Sequence, residues 1–208
     1  MKGQWSNRNH YPDLTSYSLV STHQLMTIEI VSGSPRNASI TVRIANYLQQ
    51  YLQLHYTEHT VGIIDVREWK LGFLENVFNS VENTPQQYKS LTEKMFAADA
   101  FIIVTPEYNG SYTSEIKNLF DHFPKQARKA FGLCTASTGP LGGARGTQSL
   151  LLLVPALFGI ASPSLLIVPN IDKKFDANNQ LIEPSFEKQI HSFITEFLWL
   201  GEQLQQKL

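Results

Sequence analysis

Two hydroxyl side chains and a guanidinium follow an apolar run near the start of the sequence. Ser34, Arg36 and Ser39 lie within the seven residues that begin at Gly33, directly before a helical pattern. A phosphate monoester needs several hydrogen-bond donors and a positive charge, which hydroxyls, Arg and a helix N-terminus supply together. Gly33 would let the chain turn tightly off the strand. The segment predicts a mononucleotide phosphate site; the alternative is that Ser39 only caps the helix and Arg36 is solvated.

A second polar segment, Thr105–Ser111, directly follows another apolar, β-branched run. Pro106 fixes the chain as it leaves that run, and Tyr108 offers an aromatic wall. Asn109-Gly110 is typical of a tight turn, which would point backbone N–H groups at the edge of a ligand. These features fit the isoalloxazine ring of a flavin, which is apolar on its faces and polar at its edge. The alternative is an ordinary turn after a buried strand.

A third segment, Ser137–Gly146, is rich in glycine. Gly139, Gly142, Gly143 and Gly146 fall within eight positions. Because glycine has no Cβ, such a loop can bring its backbone close to a ligand. The segment also opens a helix, so we expect its N–H groups to face the pyrimidine-like edge of the ring. The alternative is a flexible connector.

Strand-like and helix-like segments alternate along the chain. The predicted strands are Thr27–Ser32, Thr60–Val66, Ala100–Thr105, Phe131–Ala136 and Ser164–Val168, and the predicted helices cover 39–55, 86–98, 113–123, 144–158 and 184–207. Pro155 should kink or end the fourth helix, and residues 67–86 fit neither pattern. The alternation predicts an α/β fold, a flavodoxin-like three-layer sandwich around a five-stranded parallel sheet of order 2-1-3-4-5. In that order the loops after strands 1, 3 and 4 should meet at one crevice.

Composition and charge narrow the class of function. The chain has 208 residues, is 42% hydrophobic and carries a formal net charge of −1, which argues against a nucleic-acid partner or a basic membrane-binding face. No apolar run reaches the roughly 18 residues that a membrane span needs. Cys134 is the single cysteine, which excludes an intramolecular disulfide and fits a cytoplasmic protein. Residues 1–25 are interpreted as a loose tail before one domain over 26–208, with Met26 as an alternative start.

Together the three segments resemble the NADPH-dependent FMN reductase family of the flavodoxin-like superfamily, which includes azo, quinone and chromate reductases. The matching patterns are G-S-x-R-x-x-S, T-P-E-Y-N-G-S and S-x-G-x-x-G-G-x-R, in that order within residues 26–168. The resemblance implies that bound FMN takes hydride from NADPH or NADH and passes electrons to a small acceptor: a flavin, a quinone, an azo compound or a metal oxyanion. No nicotinamide fingerprint in the sequence chooses between the two donors.

The resemblance also assigns residues to the parts of FMN. The phosphate would be held by Ser34, Arg36, Ser39, Ile40 and Thr41, the isoalloxazine would be lined by Pro106, Glu107, Tyr108, Asn109 and Gly110, and its pyrimidine edge would meet Ser137, Gly139, Gly142 and Gly143. No side chain is assigned a catalytic role. Lys117 and Asn118 match a segment that usually lies at a dimer contact, so a homodimer or homotetramer is expected.

Two departures from the family pattern concern the region around the ring. Thr113-Ser114 stands where the family often has Pro-Gly, which alters the start of the helix beside the flavin. Residues 67–86 lack the short acidic and proline-containing link that is common in the family, so the roof of the pocket should differ. Both departures bear on substrate preference.

Other motifs and functions fit the sequence less well. His55–His59 matches the H-x-x-E-H zinc pattern, but it lies at a predicted helix end without an evident third ligand, so no metal site is predicted. A flavin-bearing electron carrier or redox sensor is the alternative function, and a degenerate domain that acts only in assembly is a third. The near-neutral charge argues against a carrier that docks electrostatically, and the phosphate segment argues against the degenerate domain.

Overall fold

The computed structural model describes residues 24–205. The predicted tail therefore lies outside the described residues except for positions 24 and 25, as does the predicted end of the last helix at Lys207. Within the described range, no helix is both long enough and apolar enough to cross a membrane.

Strands and helices alternate through the described residues. The strands are β1 (Thr27–Ser32), β2 (Thr60–Asp65), β3 (Ala100–Thr105), β4 (Ala130–Ala136) and β5 (Ile160–Val168). The helices are α1 (Val42–His55), α2 (Lys89–Ala97), α3 (Ser114–Asp121), α4 (Ala144–Ala156), α5 (Ile171–Lys174) and α6 (Glu187–Gln205). Single 3-10 turns, Gln86–Tyr88 and Pro184–Phe186, lead into α2 and α6.

The strands form one parallel sheet of order β2-β1-β3-β4-β5. Helices α1, α5 and α6 pack against one face, and α2, α3 and α4 pack against the other. The predicted flavodoxin-like sandwich and its strand order are therefore confirmed. The register pairs Ser32 with Val104 and Thr105 with Thr135, so the carboxyl ends of β1, β3 and β4 lie side by side.

The central strands are the most deeply buried part of the chain. Every residue of β3 and β4 is buried, whereas the edge strands β2 and β5 expose part of their length. Parallel strands covered by helices on both faces read as continuous apolar runs because neither face meets water. This explains why AFIIVT is so clear a signal in the sequence.

The structure differs from the prediction mainly at the ends of elements. The first helix begins at Val42 rather than at residue 39, because Ser39 precedes the helix and its Oγ accepts a hydrogen bond from Val42 N at 3.3 Å. The edge strand β5 begins at Ile160 rather than at Ser164, because its pairing with β4 already starts at Ala130.

The end of α4 and the short helix α5 both have simple physical explanations. Helix α4 ends at Ala156, directly after Pro155, as expected for a residue that cannot continue the helical hydrogen bonds. Helix α5 has only four residues, which is too short to give a periodic signal in the sequence, so it was not predicted.

Candidate active site

Three loops meet at the carboxyl edge of the sheet: the Arg36 loop (residues 33–41), the Tyr108 loop (residues 105–111) and the glycine loop (residues 137–146). The Arg36 guanidinium carbon lies 4.9 Å from the centroid of the Tyr108 ring, which joins the first loop to the second. The glycine loop packs so closely on the Tyr108 loop that a Cβ on Gly143 would lie 3.4 Å from Glu107 Cβ. The loops thus lie against one another at one edge of the sheet, as their strand order predicts.

Within the Arg36 loop, the predicted ligands differ in exposure. Ser34 and Thr41 are buried, Ser39 is half-buried and Arg36 is exposed. Ile40 packs against the core on the α1 side of the sheet, so its side chain is committed to the core and it would reach a ligand through its backbone.

Gly33, at the start of the same loop, fits its position for a different reason from the one predicted. Its φ lies outside the left-handed region, so no special turn demands glycine. A Cβ at this position would instead lie 2.2 Å from Ile116 Cδ1. A side chain at this position would therefore require the Ile116 side chain to move.

The Tyr108 loop is a tight hairpin. Tyr108 N donates to Ser111 O at 2.9 Å, and Ser111 N donates to Tyr108 O at 3.1 Å. Asn109 and Gly110 have φ values of 53° and 82°, the pattern of a type I′ turn, which Asn-Gly favours. The hairpin uses the N–H groups of its two ends, so the tip is the part of the loop that can present N–H groups to a ligand.

In the glycine loop, two positions favour a residue without a Cβ. Gly142 and Gly143 have φ values of 60° and 80°, a conformation that side chains disfavour. A Cβ on Gly142 would also lie 2.7 Å from Ile167 Cγ2. Ser137 Oγ accepts a hydrogen bond from Gly139 N at 3.2 Å, and Gly139 O accepts one from Asn170 N at 3.2 Å. These bonds tie the start of the glycine loop to the segment after β5.

The N-terminus of α4 receives a hydrogen bond acceptor from the Tyr108 loop. Glu107 Oε2 accepts a hydrogen bond from Arg145 N at 3.1 Å, so a carboxylate from the Tyr108 loop caps this helix. The arrangement is favourable because the positive end of the helix dipole meets a negative charge. Glu107 therefore joins the two loops, and at least one N–H group predicted to face the ligand is already used.

Two residues near the site did not stand out in the sequence as binding residues. Arg67, after β2, donates from Nη1 to Asn37 O at 3.4 Å and from Nε to Asp65 Oδ1 at 2.9 Å; its hydrogen bond with Asp65 raises the pKa of the guanidinium. Thr113, recognised only as a departure from the family pattern, donates from Oγ1 to Gly33 O at 2.6 Å. Neither contact has a local sequence signal, since the partners are 30 and 80 residues apart.

The polar groups where the three loops meet fit FMN. Tyr108 Oη is buried and, among the described residues, has no hydrogen-bond partner, and the same holds for Thr135 Oγ1, beneath the glycine loop. A buried hydroxyl without a partner is rare, and a bound ligand is one explanation. The Arg36 guanidinium can pair with a phosphate, and the Tyr108 ring can pack against an isoalloxazine.

The zinc-like pattern at His55–His59 has no support in the geometry. No group of three or more metal-ligating side chains occurs within residues 24–205. His59 is buried, and its Nδ1 accepts a hydrogen bond from Met26 N at 3.3 Å.

Comparisons with known proteins agree on one family. The family model described as NADPH-dependent FMN reductase matches residues 26–172. An FMN-dependent NADPH-azoreductase from Staphylococcus aureus is 30% identical over 175 residues, which cover 81% of this chain and 92% of that protein.

Two solved structures show the same fold at low sequence identity. FerB, a flavoenzyme NAD(P)H:(acceptor) oxidoreductase from Paracoccus denitrificans, is 19% identical with a TM-score of 0.68, over 86% of this chain and 98% of that one. An NADH:FMN oxidoreductase in its apo form is 19% identical with a TM-score of 0.63, over 88% of this chain and 91% of that one.

Proposed function

The chain belongs to the NADPH-dependent FMN reductase family, and on that premise we propose that it is an FMN-dependent NAD(P)H oxidoreductase acting on a small acceptor. One observation carries the proposal: Arg36 and Tyr108 lie against each other at the carboxyl edge of the parallel sheet. A cation for a phosphate and an aromatic wall for a ring are the two ends that a flavin mononucleotide needs.

The Arg36 loop holds the phosphate in this proposal. Arg36 supplies a fixed charge and several donors, while the hydroxyls of Ser34, Ser39 and Thr41 lie in the same loop. The N-terminus of α1, which begins directly after the loop, adds the positive end of its dipole.

The Tyr108 loop and the glycine loop hold the ring. Tyr108 forms a wall, and the tip at Asn109 and Gly110 directs N–H groups to the ring edge. Gly142 and Gly143 allow the glycine loop to approach without side-chain clashes. Pro106, Glu107, Ser137 and Gly139 complete the proposed lining.

FMN, when bound, supplies the centre that accepts hydride from reduced nicotinamide and gives electrons to an acceptor. The protein orients the ring, and the backbone N–H groups of the Tyr108 loop support negative charge that develops there. No side chain is proposed as a general acid or base. Because many flat or anionic acceptors fit an open ring face, flavins, quinones, azo compounds and metal oxyanions are all proposed acceptors, and NADPH and NADH are both proposed donors.

We also propose that the enzyme is a homodimer or homotetramer. Phe73 is 98% exposed, beside a groove of about 610 Å³ that Lys117 and Asn118 line. Asn118 Nδ2 donates to Gly72 O at 3.0 Å, which holds the Phe73 segment against α3. An exposed aromatic side chain beside a groove on one surface suits a two-fold contact between identical chains.

Light scattering on two variants tests this assembly. F73D should shift the protein towards monomer, because a buried unpaired charge opposes the contact. L54D is the matched control, since Leu54 is 72% exposed on α1, away from the groove. Equal masses for F73D, L54D and the wild type would contradict a contact through Phe73.

A cytoplasmic location and the absence of nucleic-acid partners belong to the same proposal. Cys134 is the single cysteine and is buried, where burial raises the pKa of its thiol and leaves it unreactive. The net charge of −1 gives no electrostatic attraction to a nucleic acid.

The function is tested in two steps. The purified protein, after addition of FMN and gel filtration, should retain flavin and absorb as a yellow protein. It should then oxidise NADPH or NADH in the presence of a quinone, free FMN or an azo dye. Flavin retention without turnover would favour an electron carrier or sensor, and no flavin retention would overturn the proposal.

A further inference from the structure

Thr113 connects two of the three site loops through its hydroxyl. The residue is fully buried at the N-cap of α3. Its Oγ1 donates to Gly33 O at 2.6 Å and accepts from Ile116 N at 3.4 Å. The donor and an acceptor site of the hydroxyl are therefore both used, one by the Arg36 loop and one by the helix that follows the Tyr108 loop.

Packing also joins the residues that these hydrogen bonds connect, Thr113, Gly33 and Ile116. Ile116 occupies the space where a Cβ of Gly33 would stand, 2.2 Å from Cδ1. Gly33 N donates to Val104 O at 2.8 Å, so the residue is held on its other side by β3. Gly33 is the first residue of the Arg36 loop, and its position therefore depends on the contacts of Thr113 and Ile116.

We propose that Thr113 is a positioning residue that fixes the Arg36 loop relative to the Tyr108 loop and so supports recognition of the FMN phosphate. This role rests on the proposed function. The contact between Arg36 and Tyr108 lies at an exposed side chain, where solvent weakens it. The Thr113 hydrogen bond is shielded from water and acts on the backbone, which makes it the firmer link between the loops.

The residue type is informative because a hydroxyl, and not the backbone conformation alone, makes the contact with Gly33. Proline could adopt the Thr113 backbone, whose φ is −73°, but it has no hydroxyl to bond Gly33 O. In this chain a hydrogen bond supplies a connection that proline cannot make. The start of α3 is thus tied to the phosphate side of the site as well as to the ring side.

Threonine-to-valine substitution removes the hydroxyl and keeps the β-branched shape. T113V should weaken FMN binding about tenfold, because Gly33 O, at the start of the loop that holds the phosphate, loses the hydrogen bond that fixes its position. Riboflavin has the same ring and no phosphate, so its affinity should change less than about threefold. T113S keeps the hydroxyl and should restore FMN affinity to within about threefold of the wild type.

The experiment titrates FMN and riboflavin into flavin-free protein and follows the quenching of flavin fluorescence, with thermal unfolding measured in parallel. T92V is the matched control: Thr92 is fully buried and its hydroxyl donates to Tyr88 O at 3.1 Å, but it lies in α2. It should lose stability and keep the ratio of FMN to riboflavin affinity. If T113V does not fold, T113A carries the same expectation.

Three results would distinguish failure of the positioning role of Thr113 from failure of the proposed function. Equal weakening of FMN and riboflavin by T113V would reduce Thr113 to a general structural residue. Unchanged FMN affinity in T113V, with a wild type that binds FMN, would also overturn its positioning role and leave the proposed function intact. A wild type that binds neither flavin would overturn both.

Discussion

The two edges of the sheet use their polar groups differently. At the amino edge, Asp99 Oδ2 accepts from Thr27 N at 2.8 Å, and Lys129 Nζ donates to Gln126 Oε1 at 2.9 Å and to Met95 O at 3.2 Å. At the carboxyl edge, Arg36 lies exposed over Tyr108, whose buried hydroxyl has no partner among residues 24–205.

The difference separates groups that complete the fold from groups that are available to a ligand. Burial lowers the pKa of Lys129 to about 8, yet its hydrogen bonds hold it between α2 and β4. A buried polar group normally has a partner because leaving it without one costs free energy. Changes at the amino edge should therefore alter stability, whereas changes at the carboxyl edge should alter ligand binding.

The largest expected effect is that of R36A on FMN affinity. Removal of the guanidinium should weaken FMN binding about tenfold to a hundredfold, since charge-assisted hydrogen bonds contribute about 1.5–3 kcal/mol. Stability without flavin should change little, because Arg36 is exposed. The measurement is a fluorescence titration with FMN. K173A removes another exposed cation, in α5 outside the proposed site; it is the control and should bind FMN as the wild type does.

D99A should lower stability and leave FMN affinity unchanged, the reverse of what is expected for R36A. The backbone N–H of Thr27 would lose its acceptor, which should lower the free energy of unfolding by about 1–2 kcal/mol. FMN affinity should stay within about twofold, because this edge is remote from the proposed ligand. Urea unfolding and FMN titration measure the two effects. D99N, whose amide oxygen can still accept, should recover most of the stability, and a D99A variant that loses FMN would break the distinction between the edges.

Glu29, in β1 between the two edges of the sheet, should make the stability of the protein depend on pH. It is buried in β1 with Lys94 Nζ 3.9 Å from its carboxylate, and burial raises its pKa while Lys94 lowers it, with burial the larger cause. A raised pKa means that the folded state holds the proton more tightly than the unfolded state, so stability falls as pH rises from about 4.5 through the raised value.

E29Q should flatten this pH dependence. The neutral side chain avoids burial of a charge, so unfolding at neutral pH should require on the order of 1 kcal/mol more free energy than in the wild type. Urea denaturation at pH 4.5 and at pH 7 measures the difference. E93Q, at an exposed position of α2, is the control. An equal decline with pH in E29Q and wild type would contradict the burial of charge at Glu29.

Y108F has the smallest expected effect. It should keep or raise stability without flavin while it weakens FMN binding. Loss of a buried hydroxyl that has no described partner should leave the flavin-free protein equally stable or more stable by up to about 1 kcal/mol. FMN binding should weaken by about threefold to tenfold if the ligand satisfies that hydroxyl. Thermal unfolding and FMN titration on the same samples provide the two numbers. A marked loss of stability without flavin would show that the hydroxyl serves the fold.

The sequence predicts the architecture well because apolar runs and glycine-rich turns are local signals. Strand order then places Arg36 and Tyr108 at the same edge without further information. The cap that Glu107 provides for α4 and the bond from Thr113 to Gly33 join residues 38 and 80 positions apart. Such contacts depend on the final packing of helices and loops, which no local pattern encodes. For the same reason, the space taken by Ile116 at Gly33 was not foreseen.

A crystal structure of the FMN complex tests the central claim most directly. We predict that the phosphate lies within hydrogen-bond distance of the Arg36 side chain and that the isoalloxazine lies against Tyr108 and the tip at Asn109 and Gly110. Flavin bound elsewhere, for example in the groove beside Phe73, with Arg36 still over Tyr108, would contradict the account.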